Sequence, residues 1–159
     1  MKTICLSMAA TLAAIAPLSA PAGEMVPYPE GYRDWTHAKS MVIQPGHPLE
    51  SPFQGIHHIY VNDAAKKGLL NNSYGDGAVI VFDLLNYTEA EKSLREGSRK
   101  LIGVMHKDRS KYANTGGWGF EAFAGDSSSE RIVDDGGAGC FGCHQQVDSL
   151  DYVFTKFRE

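Results

Sequence analysis

The side chains best equipped for chemistry lie near the C-terminus, where Cys140, Phe141, Gly142, Cys143 and His144 form a Cys-x-x-Cys-His segment. Two thiols at that spacing, followed at once by an imidazole, make the attachment signature of c-type haem. Each sulfur can add to one vinyl group of the macrocycle, and the adjacent imidazole reaches the iron from one face. Other uses of these residues fit less well. A structural zinc site wants about four Cys or His ligands in a closed tetrahedron, and the sequence has no second cysteine pair. A thioredoxin-like dithiol belongs where a strand enters a helix of a βαβ unit. This pair instead follows the Gly-rich run 134–139, with 15 residues left after His144. A plain disulfide accommodates the cysteines but leaves His144 without a role. The segment predicts one haem c, attached through Cys140 and Cys143, with His144 as an iron ligand.

The N-terminus supports that chemistry from another direction. A basic head (Met1, Lys2) precedes an apolar run from Ile4 to Ala16, the length of a signal-peptide core. A bilayer-spanning helix needs about 20 residues, so the run is too short to stay as an anchor. Small residues offer cleavage after Ala20 or Ala22, and Ala22 is preferred because the other cut leaves Pro21 at the new terminus. The expectation is a cleaved signal peptide over 1–22 and a single domain over 23–159. Cys5 leaves with the signal, and the two remaining cysteines both belong to the haem segment. Loss of Lys2 takes the formal charge from −4 to −5, a mildly acidic balance that gives no support for nucleic acid or anionic lipid as a partner. The 159 residues less 22 leave 137, enough for one domain with one core. Haem c is attached outside the bacterial cytoplasmic membrane, so signal and motif both point to the periplasm.

Between these ends the pattern is mostly strands with short helices. Strand character falls at Lys39–Ile43, Ile56–Val61, Ala78–Leu85, Lys100–Lys107 and the Gly-opened stretch Thr115–Phe123. The stretch from Ala78 is apolar on both faces for five residues, as expected of a strand covered on two sides. Asn62 and Asp63 are helix-cap types, and one or two helical turns fit before Gly68. Thr88-x-x-Glu91 has the form of a capping box and predicts a polar helix ending near Gly97. Alternation groups Leu101, Gly103 and Met105 on one face, and the missing side chain at Gly103 suggests room for something flat.

The late position of the haem segment excludes familiar arrangements. Small electron-carrier cytochromes place it early and take a Met ligand from downstream, but Met25, Met41 and Met105 all precede His144. Four-helix cytochromes carry it late but need long amphipathic helices, which this Pro- and Gly-punctuated chain lacks. What remains resembles the cytochrome P-460 and cytochrome c′-β family. The matching pieces are Gly31-Tyr32-Arg33-x-Trp35, Ile59-Tyr60-Val61-Asn62, Asp76-Gly77-Ala78-Val79-Ile80-Val81, Lys107-Asp108, Gly117 through Phe123, Cys140-x-x-Cys143-His144 and Asp151-Tyr152-Val153-Phe154. The resemblance implies an α+β fold, mainly an antiparallel β-sheet with short helices and a C-terminal haem c attachment segment. It also implies a homodimer, with His144 proximal and a distal pocket built on sheet residues.

Hydroxylamine-oxidising members of that family follow the Asp-Gly-x-Val-x-Val stretch with a Lys that cross-links to the haem. Phe82 stands there in this sequence. A phenyl ring offers no amine, which removes the basis for hydroxylamine oxidation and points to binding of a diatomic gas such as nitric oxide. Phe82 serves equally as pocket wall or as core. His57 falls where oxidising relatives have an Arg, which makes it a candidate hydrogen-bond donor to a bound ligand. Met105, and after it Met41, are candidates for a sixth iron ligand. His–Met ligation would raise the reduction potential and suit a periplasmic electron carrier with a redox partner. An open sixth position would suit the gas.

Overall fold

A computed structural model describes residues 25–157, so the expected signal peptide over 1–22 lies outside the described residues. The β-branched and aromatic stretches form strands β1 (Thr36–Ile43), β2 (Gly55–Val61), β3 (Val79–Ala90), β4 (Ser93–Lys107) and β5 (Trp118–Ala124). They pair in chain order, each neighbour antiparallel. Short helices α1 (Glu50–Phe53), α2 (Asp63–Asn71) and α3 (Ala138–His144) lie between or after them. The fold is α+β, as the sequence predicts. Among the described residues no helix is long and apolar enough to cross a membrane.

The register sorts side chains onto two faces, because residues directly opposite each other in a ladder share a face. One face carries the row Ile59, Phe82, Gly103 and Ala122, flanked by Val61, Ile80, Met105 and Phe120. It is covered by Ala65 and Leu69 of α2, by Cys140 and Phe141 of α3, and by Tyr152 and Val153. The other face buries Val81, Ile102, Val104 and Phe123 under Val26, Tyr32 and Tyr112. Strand β3 is therefore covered on both sides, which accounts for its continuous apolar run.

Helix α2 is placed by one amide. The Asn62 side-chain oxygen accepts from Ala65 N at 2.9 Å, capping the helix, and from Val79 N at 3.0 Å, tying its start to β3. The helix turns Ala65, Gly68 and Leu69 inward, at i, i+3 and i+4.

The expected helix over 88–97 does not form. Strand β3 runs on to Ala90, and Thr88 pairs with Arg95, Glu89 with Leu94 and Ala90 with Ser93. The two-residue turn is Glu91–Lys92, with φ of 51° and 60°. The Thr-x-x-Glu pattern is a local signal, and cross-strand pairing overrides it. Positive φ at both central positions is what a hairpin that continues the strand twist requires, at a cost for residues bearing a Cβ. Lys92→Gly is expected to stabilise the protein by about 0.5–1 kcal/mol, read as a higher urea midpoint with an unchanged slope.

Candidate haem-binding site

Helix α3 delivers the motif to the first face of the sheet. Its start is held by Asp135, whose carboxylate accepts from Gly137 N at 2.8 Å and Gly139 N at 2.7 Å. These bonds hold its carboxyl below the usual range. Gly137 has φ of 87°, and a Cβ there would meet Phe120 Cβ at 2.9 Å. Only glycine lets the helix begin this close to β5. Cys140 and Cys143, three apart, lie on neighbouring positions of one helix face. Neither is in a disulfide; Cys140 is half-buried and Cys143 exposed. Burial raises the Cys140 thiol above its ordinary pKa, with Asp135 adding to the effect.

The His144 ring sits 5.1 Å from the Phe120 ring and 5.1 Å from that of Phe154. Its Nδ1 lies 2.6 Å from the Tyr152 carbonyl oxygen. A carbonyl can only accept, so Nδ1 carries the proton and Nε2 carries the lone pair. Burial holds the imidazole below its ordinary pKa, the bond to Tyr152 opposing this. A neutral imidazole with its second nitrogen fixed by a hydrogen bond is the form in which His binds a metal. Half-buried Phe82, Phe141 and Tyr152, with Phe154 47% exposed beside His144, add aromatic surface suited to a flat apolar ring. These residues fit a haem: Cys140 and Cys143 for the vinyl groups, His144 Nε2 for the iron.

The structure brings the other predicted residues to the same face. Phe82 and Met105 lie one row apart on β3 and β4. A Cβ at Gly103 would sit 3.4 Å from Phe82 Cβ and 3.7 Å from its Cδ1, ordinary contact distances, so Phe82 does not by itself demand a glycine there. Phe82 is the cross-strand neighbour of that position. Met105 is buried in the core between Ile80 and Phe120 in register. His57 stacks on Phe82 with ring centroids 4.5 Å apart, and its Nδ1 is buried with no hydrogen-bond partner among the described residues. Met41 pairs with His57 on the edge strand and is 38% exposed.

Two contributions left no mark in the sequence pattern. Phe53 of α1 packs edge-on against Phe82 at 5.7 Å, from a Pro-interrupted stretch with no helical period. The Tyr152 carbonyl is a backbone atom, and every residue has one. It is presented by a turn in which Asp151 (φ 51°) and Tyr152 (φ 67°) are both left-handed. Asp151 there accepts from Lys107 Nζ at 2.6 Å and Tyr74 N at 2.8 Å.

A five-stranded antiparallel sheet with a Cys-x-x-Cys-His helix docked on one face defines a haem-binding cytochrome. The family model described as Cytochrome P460 matches residues 29–155, and the chain belongs to that family. No curated protein matches the chain.

Desolvation, with smaller contributions from His58 and Lys39, pushes His57 down to about 4. In the unfolded chain its pKa is near 6.5. Between those values the unfolded chain holds a proton that the folded chain does not. Stability attributable to His57 is therefore complete above about pH 6.5 and declines as pH falls toward 4, with a limiting slope of about 1.4 kcal/mol per pH unit. Replacing it, as in His57→Phe, is expected to flatten the pH dependence of the denaturation midpoint across that window. Identical profiles for parent and variant would show that His57 titrates normally.

Proposed function

We propose that this protein is a periplasmic mono-haem c cytochrome, its haem joined to Cys140 and Cys143 with His144 as an iron ligand, and that it binds a diatomic gas such as nitric oxide. The observation that carries the proposal is the tautomer of His144. Nδ1 is committed to the Tyr152 carbonyl at 2.6 Å, so the lone pair of Nε2 is available to iron beside two free thiols on the same helix. When bound, the haem supplies a redox-active iron that can take a small sixth ligand. The chain's own residues contribute the environment. Phe82, Phe53 and Ile59 withhold hydrogen bonds, and His57 Nδ1, on a ring 4.5 Å from that of Phe82, is a buried polar atom that could offer one. Met105 packs as core, which favours an open sixth position. The periplasmic address rests on the signal-like first 22 residues, and a homodimer on the family resemblance.

A second reading, an electron carrier for a periplasmic redox partner, draws on Met105 occupying the same sheet face as Phe82. A thioether ligand there would raise the reduction potential. Optical and EPR spectra of the purified ferric and ferrous protein separate the two. High-spin, five-coordinate spectra that convert on adding nitric oxide, unchanged in Met105→Ala, are expected. Low-spin ferric spectra with a thioether charge-transfer band, lost in Met105→Ala, would establish the carrier instead. Covalent attachment is checked separately: the haem should resist acid–acetone extraction, and Cys140→Ala with Cys143→Ala should abolish that resistance.

A further inference from the structure

We propose that Asp151 and Lys107 are positioning residues for the axial imidazole: together they fix the Tyr152 carbonyl that accepts the hydrogen bond from His144 Nδ1, and so set the electron density His144 presents to iron. The proposal rests on the reading of His144 as an iron ligand. The geometry is specific. Lys107 closes the β4 row that contains Leu101, Gly103 and Met105, and it is 2% exposed. Its ammonium donates to Asp151 Oδ1 at 2.6 Å and to the Gly116 carbonyl at 2.9 Å, and lies 4.9 Å over the Trp118 ring. The other Asp151 oxygen accepts from Tyr74 N at 2.8 Å, and the Asp151 carbonyl accepts from Trp118 Nε1 at 2.9 Å.

Asp151 is thus gripped at its carboxylate and at its carbonyl, and the next carbonyl along the chain is the one that meets His144. The Asp151–Tyr152 turn keeps two consecutive left-handed non-glycine residues, a conformation that persists only where its surroundings over-determine it. The Tyr152 ring is confined as well. A Cβ at Gly116 would meet it at 2.2 Å, and it packs on Phe141 of α3 at 5.4 Å. A short hydrogen bond from Nδ1 gives the imidazole partial imidazolate character, which makes Nε2 a stronger donor and favours ferric iron. Loosening the carbonyl should weaken that donation and raise the reduction potential.

Spectroelectrochemical titration of the haem-loaded parent, Asp151→Asn, Lys107→Gln and Trp118→Phe tests this. Charge alone predicts opposite shifts for the first two variants, because one leaves an uncompensated cation and the other an uncompensated anion. Positioning predicts an upward shift in both, and a smaller upward shift in Trp118→Phe, which removes one donor without changing charge. Opposite shifts overturn the proposal, as do unchanged potentials accompanied only by a lower thermal midpoint. Should the two charge variants fail to accumulate as holoprotein, Trp118→Phe decides alone: a raised potential supports the proposal and an unchanged one overturns it. A control, His144→Ala, separates the levels. Unaltered axial spectra there would remove His144 as ligand and this proposal with it. Lost ligation there with flat potentials in the other variants would overturn this proposal alone.

Discussion

A buried ammonium must find a counter-charge, and Lys107 finds Asp151, 44 residues further along the chain. Removing one partner of a buried pair leaves an unpaired charge and costs about 3–5 kcal/mol, so the two segments are obliged to meet. Where they meet decides much else. The last strand residue of β4 is bound to the turn that follows the 3-10 helix Gln145–Leu150, and that turn closes over the end of the sheet's first face. Helix α3, only seven residues long, could not fold alone. It is held between this turn and Phe120, with Asp135 fixing its entry. A short helix carrying reactive groups thus acquires rigidity from a contact that none of those groups makes.

The two faces of the sheet are built on different principles. The first is apolar across its centre, where Ile59, Ile80 and Phe82 belong to one cluster and Phe82 pairs with Gly103. The second holds polar chains. Buried Asp83 accepts from Tyr32 Oη at 2.8 Å and Arg99 Nε at 2.6 Å, and Arg99 also pairs with Asp126. Beside it, His58 joins Glu96 at 2.6 Å and Ser40 at 2.7 Å, and Ser40 bonds His37 at 2.9 Å. His37 and Ser40 reach the same side because the strand register shifts between His37 and Lys39. Most of these charges and hydrogen bonds lie on the face away from α3, whereas the first face keeps its charge pair, Lys107 with Asp151, at one end.

Much of this was legible in the chain. The strands announced themselves through β-branched and aromatic runs, and the continuous apolar stretch at Ala78–Phe82 reported its two-sided burial directly. The Cys140–His144 segment was legible as a candidate for haem attachment because that chemistry demands fixed residue types at fixed spacing. The hairpin at 86–99 was not, since Thr88 and Glu91 satisfy a helix-start pattern whose defeat depends on pairing with residues not yet in view. Gly103 was legible as a position without a side chain, but its cross-strand neighbour, Phe82, is set by register. The hydrogen bond to His144 was out of reach for a different reason: its acceptor is a main-chain atom, oriented by left-handed φ at Asp151 and Tyr152, residues that ordinarily avoid that region.

Strand order has a consequence for how the molecule is assembled. Every ladder joins consecutive strands, so the sheet can be completed by nearest-neighbour steps without closing a loop around another strand. The second face is then sealed by residues 26–35, the first by residues 138–157. The segment bearing the thiols follows all five strands in the chain. All the pairing that builds the platform is therefore complete within residues 36–124, and residues 138–157 add a wall to it without contributing a strand to the sheet.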